Sequence, residues 1–142
     1  MKSSRFAVAS HVLVVLAEHD ETPVPSADIA RSVNTNPAFV RQLSVPLRKA
    51  GLVQSVLGPG GGMMLARPAS EITLAAVYDA VEEEPLLATH HCEPGRACFV
   101  GRNILEALDP VLEGVEGAVR AELSKHSVSS LLRAVQRLDK KR

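Results

Sequence analysis

The stretch that decides the fold is residues 26–65, SADIARSVNTNPAFVRQLSVPLRKAGLVQSVLGPGGGMML. It opens as a short helix that Ser26 or Asp28 is placed to cap, with Ala27, Ile29, Ala30 and Val33 gathered on one face. Asn34, Thr35 and Asn36 compete for backbone hydrogen bonds and stop that helix. Pro37 suits the first position of a new one, where its missing N–H has no partner to lose. From Pro37 onward Phe39, Val40, Leu43 and Leu47 recur at helical spacing, leaving Arg41, Gln42, Ser44, Arg48 and Lys49 on the other side. Gly51 marks the helix end, because a residue without a Cβ takes the left-handed cap cheaply. Leu52, Val53, Val56 and Leu57 are β-prone, residues 58–62 turn, and Met63, Met64 and Leu65 return antiparallel. Helix, turn, helix and hairpin in that order predict a mainly α chain with a small β-hairpin wing, a winged helix-turn-helix.

The glycine run in GPGGG raises the alternative of a phosphate cradle for a nucleotide. A Walker loop needs Lys and then Ser or Thr after its last Gly, and here Met63 and Met64 follow. The dinucleotide fingerprint needs a third Gly where Met63 stands, and a helix rather than a strand after it. A hairpin directly behind a helix pair reads instead as a wing laid on a nucleic-acid backbone. On that reading the 37–49 helix enters the major groove of duplex DNA. Thr35, Asn36, Arg41 and Gln42 are the candidates for base or near-base contact, since Arg and Gln present paired groups to guanine and adenine edges. Phe39, at the start of the same helix, is grouped with them. Arg48, Lys49, Ser55 and the backbone of Gly60, Gly61 and Gly62 are the candidates for phosphate.

A chain of 142 residues fits one domain, and 46% hydrophobic content supports a packed core. With 3% aromatic residues and no Trp, that core is expected to be aliphatic. No apolar run approaches the roughly 18–20 residues that span a bilayer, and the start lacks the pattern of a signal peptide, so a cytoplasmic protein without membrane contact is expected. The formal net charge of zero hides an asymmetry. Residues 1–70 hold seven Lys and Arg against four Asp and Glu, whereas residues 71–142 hold nine against twelve. Phosphate binding depends on where positive charge sits, so a basic first half beside an acidic second half is compatible with DNA. No hydroxyl or thiol nucleophile is paired in sequence with a base and an orienting acid, so no enzyme is expected.

Outside the central stretch, a first helix is expected from Arg5 to Ala17, capped by Ser3 or Ser4 and burying Phe6, Ala9, Val12, Leu13 and Leu16. Glu71 to Glu84 reads as a helix with Ile72, Leu74, Val77 and Val81 inward, the run Glu82, Glu83, Glu84 outward, and Pro85 ending it. Residues 86–100 form an irregular connector. From Gly101 a long helix carries the seam Leu105, Leu108, Leu112, Val115, Val119 and Leu123, with a kink expected at Pro110 and Asp109 capping the restarted part. Ser127 or Ser129 caps a last helix bearing Val128, Leu131, Leu132, Val135 and Leu138, followed by a basic tail. The organisation expected is thus a DNA-binding region (1–85), a sensor or connector loop (86–100) and a dimerisation and C-terminal helix region (101–142) in one structural domain. The seam is assigned to a homodimer, because a two-fold operator needs a two-fold protein.

SADIARSVNTNPAFVRQL, LRKAGLVQSVLGPGGG and ITLAAVYDAVE resemble segments of the Rrf-two family of bacterial transcription regulators, which includes the IscR, NsrR and CymR types. The resemblance runs from Ser3 to about Leu123, and LRKAGLV followed by GPGGG is its most specific part. It implies a winged helix with a long C-terminal dimerisation helix, a homodimer, and repressor-like binding to a partly palindromic double-stranded operator. It also favours Lys2, Ser3 and Arg5, at the N-terminus of the first helix, as a clamp on a phosphate flanking the major groove. Three departures stand out. Pro46 falls within the recognition helix, so its last turn is expected to be bent or shifted; Leu57 replaces an Arg that many relatives carry before the wing, removing a minor-groove contact; Arg41 stands where IscR-type members have an acid.

His90, His91, Cys92 and Cys98 place four metal-ligand types within nine residues, a set that suits zinc or an iron–sulfur cluster. By resemblance, Cys92 and Cys98 match the first two of three cluster cysteines. The third is missing from the Val100–Leu105 region, and Arg5 stands where some relatives have an acidic ligand. No cofactor is therefore expected, and the pattern is closest to cluster-free YwnA-like members. Zinc, a non-standard cluster or a reversible disulfide on these four residues makes the rival reading, a metal or thiol redox sensor. Control by docking a regulatory protein partner is a third.

Overall fold

The computed structural model describes residues 3–142. Six α-helices and one hairpin follow in order: α1 (Arg5–Glu18), α2 (Ser26–Val33), α3 (Pro37–Lys49), β1 (Val53–Val56), β2 (Gly62–Leu65), α4 (Leu74–Val81), α5 (Phe99–Leu123) and α6 (Val128–Asp139), with a 3-10 turn (Ala69–Glu71) before α4. The core is aliphatic. Ala9, Val12, Leu13 and Leu16 of α1 meet Ile29 of α2, Val40, Leu43 and Leu47 of α3, and Val77 and Val81 of α4, with Leu52, Met63, Ile72 and Val128 closing the cluster. Its one aromatic pair is peripheral, Phe6 edge-on to Tyr78 with ring centres 6.0 Å apart.

The helix boundaries follow backbone satisfaction. At the start of α1 the Ser3 hydroxyl accepts from the Arg5 N–H at 3.2 Å. The cap of α2 is not Ser26 or Asp28: Pro25 holds the cap position, Ser26 is the first helical residue, and Asp28 pairs with Arg31 one turn on. Asn34 takes a left-handed conformation (φ 64°) and Asn36 caps α3 by accepting from the Phe39 N–H at 2.9 Å. At the other end of α3, Gly51 (φ 74°) donates to the Arg48 carbonyl and Leu52 to that of Leu47, at 2.9 and 3.0 Å, which satisfies two orphan carbonyls in a Schellman arrangement. Pro46 lies inside α3 without ending it, and the helix continues to Lys49.

The hairpin pairs Val53 with Leu65 and Val56 with Gly62. Outside these two strands, Val24 forms an isolated β-bridge with Met63, exchanging two backbone hydrogen bonds at 2.8 and 2.9 Å. This close approach leaves no room for a side chain at position 62, since a Cβ there would meet the Val24 carbonyl oxygen at 2.3 Å.

Two expectations about the second half of the chain require correction. The helix expected over 71–84 is only Leu74–Val81. Thr73 caps it by accepting from the Ala76 N–H at 3.1 Å, and Glu82 leaves helical geometry and turns its carboxylate back to the Phe6 N–H, also at 3.1 Å. A carboxylate that satisfies a donor at the start of α1 wins over another helical residue before Pro85, so Glu82 is not part of a solvated acidic face. The long helix begins at Phe99 rather than Gly101 and runs for 25 residues without a restart at Pro110. Pro110 is exposed, where water can take the carbonyl its missing N–H leaves free. The last helix, α6, is capped by Ser127 as one of the two expected candidates, and it buries only Val128 fully. Leu131 and Leu132 are half-buried, and Val135 and Leu138 stay 48% and 60% exposed. This last helix returns to the body by a backbone clip, Leu74 N–H to the His126 carbonyl and Val128 N–H to the Ile72 carbonyl, both at 2.9 Å.

Removing the Leu43 side chain, which is fully buried between α3 and the other helices, should cost about 2–5 kcal/mol of stability, whereas Thr73→Ala should cost about 1 kcal/mol through its cap. Denaturant unfolding of the two variants checks the order; a Leu43→Ala cost no larger than that of Thr73→Ala would contradict the core described here.

Candidate nucleic-acid interface

Helix α3 is buried on one flank and open on the other. Val40, Leu43, Ser44 and Leu47 are buried, while Arg41, Gln42, Val45, Arg48 and Lys49 are exposed. The polar flank is partly organised by its own contacts. Arg41 donates to the Ser26 hydroxyl at 3.1 Å, which holds its guanidinium at the N-terminus of α2. Arg48 donates to Ser44 Oγ at 3.3 Å and to Ser55 Oγ at 3.0 Å, a strut from α3 to the first strand of the wing. Ser44 is buried, and its hydroxyl donates to the Arg41 carbonyl at 2.6 Å. The distance between recognition helix and wing is therefore set by a side chain as well as by the short connection through Gly51.

The other expected contact residues fall into separate groups. Thr35 is half-buried, and the Asn36 side chain is engaged as a helix cap. Phe39 is half-buried against the core, so it anchors α3 rather than presenting a ring to a ligand. At the wing, Gly60 is exposed, and Gly61 donates to the Gly58 carbonyl at 3.0 Å and has the Val56 carbonyl oxygen 2.2 Å from where a Cβ would stand. Lys2 lies outside the described residues. Ser3 and Arg5 face α4: the Ser3 hydroxyl donates to Glu82 at 3.1 Å, and the half-buried Arg5 guanidinium donates to the Val81 carbonyl at 2.8 Å. Arg5 thus ties the start of α1 to the end of α4. Ser26 was not among the expected site residues; the signal for it was its place at the helix start, read there as a cap.

The second candidate region is the 86–100 connector. His90, His91, Cys92 and Cys98 are all exposed, and among the described residues no three His, Cys, Asp or Glu side chains converge into a group that could hold a metal ion. Cys98 is instead the N-cap of α5. Its side chain makes no cap hydrogen bond, but the nearby backbone N–H groups of Gly101 and then Val100 favour the thiolate and lower the thiol from its ordinary range. The connector folds tightly around this cap. Arg102 donates to the Arg96 carbonyl at 2.9 Å, and a Cβ on Gly101 would meet the Gly95 carbonyl oxygen at 2.0 Å.

Beyond it, α5 is linked to the body by polar clasps. Glu116 accepts from the Tyr78 hydroxyl at 3.1 Å and from the Leu86 N–H at 2.6 Å, and Arg120 pairs with Asp79 at 2.8 Å. Burial and then the Glu116 carboxylate push the Tyr78 phenol up, which keeps it a donor. No residue of this 25-residue helix is fully buried. Leu105 is exposed, and Leu108, Leu112, Val115, Val119 and Leu123 are half-buried. A cleft of about 750 Å³ opens between the 84–89 segment and α5, with Leu112 and Val115 in its wall.

Because donors to the sulfur favour the thiolate, alkylation of Cys98 by iodoacetamide should reach half its maximal rate at a pH below the roughly 8.5 of a free cysteine. Peptide mapping of alkylation against pH reads it directly, and a midpoint at or above that value would show that the cap does not act on the sulfur.

Comparison with known proteins agrees with this architecture. The Rrf2 family model, described as "Iron-dependent Transcriptional regulator", matches residues 2–134. The chain is 38% identical over 132 residues to the HTH-type transcriptional regulator YwnA of Bacillus subtilis, covering 93% of this chain and 97% of that protein. It is 41% identical over 101 residues to the HTH-type transcriptional regulator IscR of Serratia proteamaculans, covering 71% of this chain and 60% of that protein. Among solved structures, T. potens IscR superposes with a TM-score of 0.70 at 25% identity, covering 95% of this chain and 88% of that one. The winged helix, the long α5 and a family match across nearly all of the sequence lead to one conclusion: this chain belongs to the Rrf2 family of transcriptional regulators.

Proposed function

We propose that the chain is a homodimeric, sequence-specific DNA-binding transcription regulator of the repressor kind, reading a partly palindromic operator with α3 in the major groove and the wing beside it. The observation that carries the reading is the split character of α3: one flank fully packed, the other offering Arg41, Gln42, Arg48 and Lys49 to solvent. A rigid helix with an open polar flank is what base reading requires, and relatives named HTH-type transcriptional regulators support the same assignment. Arg41 and Gln42 take the base edges. Lys49, the Gly60–Gly62 backbone and Arg48, in addition to its strut to Ser55, take phosphates.

The homodimer rests on α5. A helix of 25 residues with no fully buried side chain, carrying Leu105, Leu108, Leu112, Val115, Val119 and Leu123 in one seam, has apolar surface that a second copy would cover. Phe99 and Val111, 71% and 60% exposed, extend that surface. Iron belongs to the family description, but among the described residues the histidines and cysteines of the connector do not converge into a ligand set. A thiol-based input is the second reading, favoured by Cys98 at the start of the helix that sets the dimer; operator binding before and after mild oxidation, in wild type and Cys98→Ser, tests it.

Arg41→Ala should lower discrimination among operator variants by about 1–3 kcal/mol, whereas Lys49→Ala should weaken all sequences alike and flatten the salt dependence by about one phosphate. Titration of selected and scrambled duplexes at several salt concentrations separates the two, and identical behaviour of both variants would defeat the assignment. Leu112→Glu should halve the mass seen by light scattering while leaving helical content unchanged; wild-type protein that is already monomeric would remove the two-fold part of the proposal.

A further inference from the structure

DNA binding leaves the cleft of about 750 Å³ between residues 84–89 and α5 without a role. Its volume falls within the range of small-molecule sites, about 300–1,000 Å³, and its walls have their character, apolar with a few polar groups. Leu87, Ala88, Leu112 and Val115 supply the apolar part. Leu87 stays 49% exposed, so the chain itself does not cover this surface. Gly117 lies in the α5 wall. Glycine inside a helix is destabilising relative to alanine, yet a Cβ at this position would meet nothing within 4 Å. Packing within the chain does not require that glycine, and its effect is to leave the wall bare.

The charges around the cleft are unequal. Glu116 is engaged at both oxygens, one accepting from the Tyr78 hydroxyl at 3.1 Å and the other from the Leu86 N–H at 2.6 Å. Arg120, the one cation in the lining, is paired with Asp79 at 2.8 Å. Glu84, Asp109 and Glu113 also line the cleft, and none of these three forms an ion pair among the described residues. We propose that the cleft binds an amphipathic organic cation, a small molecule with an apolar body and a single positive charge. The body lies on Leu87, Leu112 and Val115, and the charge is held by the three carboxylates without partners. An anion of the same shape would meet three like charges and no free cation. Beside apolar walls that difference counts for more than it would in open water. Of the α5 seam assigned to a second copy, only Leu112 and Val115 reach the cleft, so the remainder of the seam is left for that contact. The site stands apart from operator binding and can be tested without DNA.

Tetraphenylphosphonium and tetraphenylborate share one shape and carry opposite charge, which makes them the probes of choice. In calorimetric titration of the full chain, the phosphonium should bind saturably at one site per chain and the borate at least about tenfold more weakly. Asp109→Asn combined with Glu113→Gln should weaken the phosphonium about three- to tenfold without weakening the borate. Gly117→Leu should fill the bare wall and reduce phosphonium binding at least about tenfold. Its unfolding curve should show no loss of stability, because the new side chain starts in open space and leucine is the better helix former. Equal binding of the two ions, phosphonium binding that survives Gly117→Leu, or indifference to the loss of both carboxylates would each overturn the assignment. A second copy seated in the cleft would exclude both ions from the wild type, and that result would overturn it too. Loss of operator binding elsewhere in the molecule would leave these titrations unchanged, so the two readings fail separately.

Discussion

The structure depends on the burial of one flank of α3. Val40, Leu43 and Leu47 are sealed against α1, α2 and α4, and burial of three aliphatic side chains fixes the helix in rotation as well as in place. A polar flank can serve recognition only if it faces one direction, and that direction is set by what is hidden behind it. The Asn36 cap at one end and the Gly51 turn at the other then settle where the helix starts and where the chain leaves for the wing.

The wing is held by three ties, two to that helix and one to the segment before α2. The Schellman turn gives a short connection, Arg48 bridges to Ser55, and Val24 forms a β-bridge with Met63. Two of these ties use groups that solvent would otherwise satisfy, so their worth lies more in geometry than in stability. Positional precision is what a two-element reader of a duplex needs. Glycines at 61 and 62 serve the same end: backbone oxygens occupy the space where their side chains would stand.

The second half of the chain is organised differently. Polar clasps, Glu116 to Tyr78 and Leu86 and Arg120 to Asp79, hold α5 to the body, and no α5 side chain is fully enclosed. A helix attached mainly by polar contacts on one side and bearing an apolar seam contributes little to the fold of one chain, which is the ground for the proposed contact between two copies. The arrangement also places Cys98 at the joint between a compact connector and the long helix, so any chemistry at the sulfur acts at the start of that helix.

The sequence by itself determined the element order, the aliphatic core stripes of α1 and α3, and the hairpin with its turn, because each depends on spacing within a few residues; the regulator family came from the resemblance of whole segments rather than from spacing. It also identified Arg41, Gln42, Arg48 and Lys49 as the open flank, since helical periodicity assigns faces without knowledge of the partner; Ser44, read onto the same face, is buried because it lies at the boundary beside Leu43 and Leu47. Only the tertiary structure decided what competes for a group over long separations. Glu82 left its helix for the Phe6 N–H, Arg5 and Ser3 turned to α4, Val24 formed a β-bridge with Met63, and α6 was clipped back beside Ile72. Local pattern records the preferences of a residue, whereas a buried or half-buried donor takes whichever acceptor the folded chain brings within about 3 Å, and that choice is made by elements distant in sequence.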